Sequence, residues 1–247
     1  MEDIREKTVG AVVAADYRTA EVFRKYKIDF CCNGHTLLQE ACAKKNIDPD
    51  QLMEDIEAVL ATPSSGDGAV SGYNFWPLDL LADYIEKTHH RFVTAQIPVL
   101  EGYLDKLCRV HGKQHPELHE ISALFRDSAG AMTMHMKKEE LMLFPFIRRM
   151  VLAGQGHEKP QAPFGTVQSP IRTMEHEHDA EGERFRAIRG LSHDYAVPED
   201  GCNTYRVTYA MLQAYETDLH LHVHLENNIL FPKAIALEQR LAAGGQN

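Results

Sequence analysis

The sequence predicts an all-α protein, with a small N-terminal helical domain followed by an up-down-up-down four-helix bundle. Three observations predict it. No stretch of useful length alternates apolar and polar residues as a half-buried strand would. Four long segments carry apolar residues at helical spacing, and the connections between them are full of turn formers. A Gly- and Ser-rich seam, TPSSGDGAVSGYN at residues 62–74, separates a short first part from a longer second one. The expected domains are residues 1–62, a linker at 63–75, and the bundle at 76–247.

In the first domain, Ala20, Val22, Phe23 and Tyr26 stand among charges, which predicts a helix over 17–26 with Asp16 as its cap. Thr36 and Gln39 have the form of a capping box, so a second helix is expected from Thr36 to about Lys45. Asp48-Pro49 is another start signal, and Leu52, Ile56, Val59 and Leu60 then share one helical face. In the second domain the four helices are expected over 77–111, 116–153, 167–191 and 203–241. Pro98, Pro145 and Pro232 fall inside these runs and should kink or locally break them.

Composition narrows the function. The chain has 247 residues, 44% hydrophobic and 25% charged, enough for a packed core. Lys and Arg number 26 against 36 Asp and Glu, a net charge of −10, which argues against wrapping a nucleic-acid backbone. No apolar run is long enough to span a membrane, and the charged start MEDIREKTVG lacks the apolar stretch of a signal peptide. A cytoplasmic protein without nucleic-acid or membrane partners is expected. Five cysteines without framework spacing read as reduced thiols. The 14 histidines call for an account.

An internal echo supplies it. His135 and Glu139 are followed by Leu143-Phe144-Pro145, and His222 and Glu226 by Leu230-Phe231-Pro232. Both read H-x-x-x-E-x-x-x-L-F-P, and residues 135 and 222 stand 87 apart. His90 stands 45 before His135, and His178 stands 44 before His222. His and Glu at i, i+4 share a helix face. In an antiparallel bundle the four histidines fall at one level, so four imidazoles and two carboxylates converge near the axis. Two carboxylates can bridge two ions while the imidazoles give each ion two nitrogens. That mixed N/O set with vacant positions suits iron ahead of manganese or zinc. Glu86-x-x-His89 and Glu175-x-x-His178 offer a competing, carboxylate-rich set. The spacing selects His90 over His89, although the tandem pair leaves a one-residue choice. His220 and His224 point away from His222, toward solvent or a supporting role.

Cys31 and Cys32 form a second candidate site. They precede the helix expected at Thr36, whose N-terminus would favour thiolates, and adjacent cysteines bridge only with strain. Two small buried hydrophobes is the equal alternative. Cys42, Cys108 and Cys202 show no partner pattern and read as structural.

These residues resemble a known family. The second domain is similar to a hemerythrin-like bundle with a non-haem di-iron centre. Asp29-Phe30-Cys31-Cys32-Asn33-Gly34, after Phe23-Arg-Lys-Tyr26, resembles the N-terminal domain of the bacterial repair-of-iron-centres family. The motifs HMKKEELMLFP, TMEHEHD, HLENNILFP and THH carry the likeness onto His135, Glu139, His178, His222, Glu226 and His90. The resemblance implies two non-haem irons per chain, bridged by Glu139, Glu226 and an oxo or hydroxo group. It implies a role in the nitrosative and oxidative stress response, restoring damaged iron–sulfur clusters by donating iron. Reaction of the centre with nitric oxide, up to reduction to nitrous oxide, is attributed to the family as well. The alternatives are thus a nitric oxide or oxygen reductase, or a hemerythrin-like gas sensor. Implied partners are iron–sulfur proteins or cluster scaffolds and the diatomic ligands NO and O2, with a homodimer allowed. The resemblance favours a functional role for Cys31 and Cys32, as thiols that gate the site, supply electrons or handle released iron.

Overall fold

The structure is a computed structural model and describes residues 4–62, 72–158 and 160–243. Most of the linker expected at 63–75 lies outside the described residues, which resume at Gly72 with a 3-10 turn at Tyr73–Phe75. The chain forms two compact units, one of Met1–Leu81 with Val223–Asn247 and the other of Ala82–His222.

The first unit opens with α1 (Val9–Ala15), capped by Thr8, whose hydroxyl accepts from the Ala11 N–H at 3.2 Å. Asp16 caps the 3-10 turn Tyr17–Thr19, which leads into α2 (Ala20–Lys25). α3 (Leu38–Lys45) starts two residues later than Thr36, and the capping box does not form. The reason is tertiary. Thr8 and Leu37 form an antiparallel bridge, with the Val9 N–H on the Thr36 carbonyl and the Leu38 N–H on the Lys7 carbonyl. That pairing holds Leu37 extended and takes Thr36 out of capping geometry. α4 (Pro49–Ala61) begins as its sequence requires, with Asp48 accepting from the Asp50 N–H and Pro49 at the first position. Val9, Val13, Phe23, Phe30, Leu52 and Ile56 fill the core.

The remaining elements, most of them in the second unit, are helical among the described residues. α5 (Leu78–Tyr84) passes through a π turn at Ile85–His90 into α6 (Arg91–His111). α7 (Glu117–Lys138) passes through Glu139–Leu143 into α8 (Phe144–Gly154). α9 (Gln168–Leu191) is uninterrupted. α10 (Asn203–Leu225) passes through Glu226–Leu230 into α11 (Phe231–Ala243), the boundary between units falling after His222. The prolines explain two π turns. A proline has no N–H for the carbonyl four residues back. Just before Pro145 and Pro232 the ladder widens, with the Phe144 N–H on the Glu139 carbonyl and the Phe231 N–H on the Glu226 carbonyl. Pro98 sits within α6, which runs on past it.

Each helix buries one stripe. On α7 it runs Leu118, Ile121, Phe125, Ser128, Met132, His135 and on to Glu139, alternating steps of three and four. On α9 it runs Ile171, Met174, His178, Glu181, Phe185 and Ile188. On α10 it includes Tyr205, Tyr209, Leu212, Tyr215, Leu219 and His222. The histidines therefore point inward because they occupy core register. Burying each large apolar neighbour contributes about 1.5–3 kcal/mol, and this holds the polar positions in place.

Candidate metal centre

The stripes deliver buried donors to one level. His90, His135, His178 and His222 are at most 1% exposed, and Glu139 and Glu226 are fully buried. The donor atoms form two groups of four, His90, Glu139, His222 and Glu226, and His135, Glu139, His178 and Glu226, each within 4.8 Å of one another. Both groups share the two glutamates. Glu139 Oε2 lies 3.3 Å from His90 Nε2 and 3.3 Å from His135 Nε2. His135 Nε2 and His178 Nε2 are 3.1 Å apart. Two nitrogens bound about 2.1 Å from one ion at right angles stand about 3 Å apart, so this spacing suits adjacent positions on a metal. A buried carboxylate needs a partner charge or a metal, and the donor set fits one.

Carboxylates outside these groups orient the rings. His90 Nδ1 bonds Glu140 at 2.8 Å, and His135 Nδ1 bonds Glu177 at 2.9 Å. With Nδ1–H donating outward, Nε2 is left as the inward lone pair. Bonds from His135 and then Lys138 hold the Glu177 carboxyl down at about 2 against its partial burial. Glu140 and Glu177 were missed from sequence, though each adjoins a candidate ligand. A cavity of about 160 Å³, lined in part by Met134, His135, Lys138, Glu177 and Arg184, reaches this edge of the centre.

The tandem histidines resolve by role. His90 joins the donor group, whereas His89 bonds Asp218 through Nδ1 at 2.9 Å and stacks on the His222 ring at 5.7 Å. The carboxylate-rich alternative does not assemble at its first helix, because Glu86 pairs with Arg148 at 2.6 Å.

Residues 81–234 match the family model described as the hemerythrin HHE cation binding domain. Residues 5–60 match a second model, described as a domain of unknown function (DUF542). The chain is 34% identical over 233 residues to the iron-sulfur cluster repair protein YtfE of Yersinia pestis (strain Pestoides F), covering 94% of this chain and 98% of that protein. The protein of the same name from Yersinia pseudotuberculosis serotype O:1b (strain IP 31758) gives the same identity and coverage. The chain belongs to the hemerythrin-type iron–sulfur cluster repair family. A hemerythrin domain binds iron, and the clustered histidines and glutamates supply donors for it.

In this cluster repair family member, Cys31 and Cys32 lie within the segment that matches the second model. Their sulfurs are 3.8 Å apart, and Asp29 completes a donor group within 4.8 Å. Asp29 Oδ1 accepts from the Cys31 and Cys32 N–H groups, and Asn33 Nδ2 donates to Oδ2. Burial pushes the Asp29 carboxyl up, but the bonds from Asn33 and Cys32 win and hold it below its usual value. The expected activation of these thiols by a helix N-terminus is not found at Cys31. Its thiol is pushed well up, first by the bond with Cys32 and then by burial. The physical reason is that α3 begins at Leu38, six residues past Cys32. The turn is fixed from outside by Asn227 and Asn228, which donate to the Cys31 and Phe30 carbonyls at 3.2 and 3.1 Å.

Of the two places expected for His224, solvent or a supporting role, the structure excludes solvent. His224 is 1% exposed between Tyr17 and Phe30, and burial lowers its pKa to about 3. Cys202 is not a buried cysteine. It is exposed just before α10, and His111 Nε2 lies 3.3 Å from its sulfur. That bond, with backbone N–H groups of Tyr205 and Thr204, brings its thiol down to about 7.

Proposed function

We propose that this chain repairs damaged iron–sulfur clusters under nitrosative and oxidative stress by donating iron from a two-iron centre. The observation that carries the reading is the pair of donor groups sharing Glu139 and Glu226. His90 and His222 would hold one ion, His135 and His178 the other, with both glutamates and an oxo or hydroxo group between them. When bound, the two ferrous ions supply one-electron chemistry and transferable metal. The chain's own residues do the rest. Glu140 and Glu177 keep the His90 and His135 rings turned inward. The buried stripes exclude bulk water, and the cavity beside His135 admits small molecules such as NO or O2. The cavity at the Glu177 edge is the path by which an ion is surrendered. The protein named YtfE that this chain resembles is described as a cluster repair protein, which supports the same role here. Cys31 and Cys32 are assigned as accessory thiols for electrons or released iron, the clients as cluster proteins or scaffolds, and the compartment as the cytoplasm.

The test mixes iron-loaded chain with an apo cluster scaffold and sulfide without oxygen. Cluster absorbance should grow as iron leaves the chain, and added nitric oxide should yield nitrous oxide without repeated turnover. Sustained nitrous oxide production with no iron transfer would replace the donor reading by a reductase.

A further inference from the structure

The two copies of H-x-x-x-E-x-x-x-L-F-P agree in their donors but differ in the two residues after the glutamate, Glu140-Leu141 in one and Asn227-Asn228 in the other. Glu140 bonds His90 of the centre itself. Asn227 and Asn228 reach the cysteine turn instead, and every residue of that contact lies in the first unit. Asn227 Nδ2 donates to the Cys31 carbonyl at 3.2 Å, and Asn228 Nδ2 to the Phe30 carbonyl at 3.1 Å. Asn228 Nδ2 also donates to Nδ1 of the buried His224 at 3.0 Å, which fixes the amide from one turn back. The Asn228 Oδ1 fills a notch between two glycines: a Cβ at Gly10 would stand 2.2 Å from it, and one at Gly34 2.3 Å. The notch is closed by the Gly10 N–H on the Gly34 carbonyl at 2.7 Å. Neither glycine has a positive φ. They therefore serve to make room for the amide, not to free the backbone. Asparagine is a poor residue for a helix interior, and two in succession beside a buried glutamate ask for a reason.

We infer that Asn227 and Asn228 are positioning residues that couple the Cys31–Cys32 turn to the Glu226 side of the metal centre, so that bound iron holds the turn closed and an opened turn loosens iron. The inference rests on the two-iron reading above, in which Glu226 is a shared ligand. The joint is the π turn Glu226–Leu230, where the Phe231 N–H reaches back to the Glu226 carbonyl. Such turns are rare and occur mostly at functional sites. Glu226, Asn227 and Asn228 are its first three residues, so a shift of one displaces the others. The donor oxygens of Glu139 and Glu226 lie within 4.8 Å of each other, and carboxylates that close repel until a cation lies between them. Iron is that cation. It pins Glu226, the pinned π turn aims the two amides, and the amides hold the Cys31 and Phe30 carbonyls. Without iron the repulsion works against this arrangement. Cys31 is 5% exposed, so a reagent reaches its sulfur when the turn opens, and opening breaks the asparagine bonds. By linkage, the factor by which iron favours the closed turn is the factor by which the closed turn raises iron affinity.

The test alkylates the full-length chain with iodoacetamide in the absence of oxygen, with and without bound Fe(II), and reads the initial rate at each cysteine by mass spectrometry. Iron should slow Cys31 by roughly 5-fold or more, the range of coupling between linked sites. Cys202, exposed and beside His111, is the reference and should not respond. Asn227→Ala combined with Asn228→Ala should abolish the protection of Cys31 and weaken Fe(II) binding, read by competition with a chelator. Asn227→Ala alone, which leaves Asn228 in its notch, should fall between. Cys42, buried in the same unit, reports folding and should stay as slow as in the native chain. If the double variant exposes Cys42, the single variant decides by the same criterion. Equal Cys31 rates with and without iron, in a native chain that holds two irons, overturn the inference and leave the metal reading standing. Protection that survives undiminished without the asparagines also overturns it, because iron would then shield the thiols directly. A native chain that does not load iron defeats the metal reading and this inference together.

Discussion

Replacing Glu139 by Gln keeps the side chain's shape and removes its charge. Glu139 is fully buried, belongs to both donor groups, and lies 3.3 Å from the Nε2 atoms of His90 and His135. In the metal-free chain the change leaves packing intact, so Tm should stay within about 2–4 °C of native, the shift that about 1 kcal/mol produces in a domain of this size. With iron the effect reverses. Free Fe(II) at about 100 times its Kd stabilises the fold by about 2.7 kcal/mol per site. Removing even a group that only supports a ligand weakens metal affinity about 10–100-fold, and a shared ligand should reach the upper figure at both sites. At the same free iron, a site 100-fold weaker contributes only about 0.4 kcal/mol. The two sites together lose about 4–5 kcal/mol, or roughly 10–20 °C of the iron-dependent rise in Tm. Anaerobic scanning calorimetry with and without Fe(II) reads both numbers. An iron-dependent rise in E139Q equal to the native one would refute the reasoning.

The other predictions concern the cysteine at the far loop, the glycines and the caps. Cys202 alkylation by iodoacetamide should rise with pH through a midpoint near 7, because the thiolate forms as pH climbs past that value; His111→Gln should move the midpoint up, and an unmoved midpoint would show that His111 is not the cause. Gly34→Ala places a Cβ 2.7 Å from the Phe30 carbonyl and 2.3 Å from Asn228 Oδ1, and should cost about 1–3 kcal/mol in urea unfolding. Gly10→Ala meets chiefly the Asn228 side chain, at 2.2 Å, so Asn228→Ala should rescue Gly10→Ala but not Gly34→Ala. Asp48→Ala removes the α4 cap and should lower stability by about 1 kcal/mol in the same titration, whereas no change would mean that the cap is dispensable.

Much of this architecture is legible before folding because its signals are local or periodic. Asp48-Pro49 starts α4 where it should, since a cap and a proline act within one turn. The repeated H-x-x-x-E brings four histidines and two glutamates to one level because all six sit in core register. Other features depend on distant partners. The Thr36 box fails because the Thr8–Leu37 bridge takes its backbone. α1 has a cap in Thr8 but its run VGAVVAA has no polar face to reveal a helical period. The π turns before Pro145 and Pro232 are where expected breaks become widened ladders, a choice that carbonyl bonding makes and periodicity does not show. Ser128, Glu181 and Tyr215 look like surface residues one at a time. Counted from the histidines, Ser128 and Tyr215 one heptad before and Glu181 three residues after, they fall on the core stripe. Cys202 reads as an isolated cysteine until the fold brings His111 from the end of α6 to its sulfur.

The central claim is that six buried residues, His90, His135, Glu139, His178, His222 and Glu226, hold a pair of irons. Metal analysis of the full chain, purified and reconstituted without oxygen, tests it most directly. The account predicts two irons per chain in the native protein, with fewer in Glu139→Leu and in Glu226→Leu. One iron, a different metal, or two irons retained in either variant would contradict it.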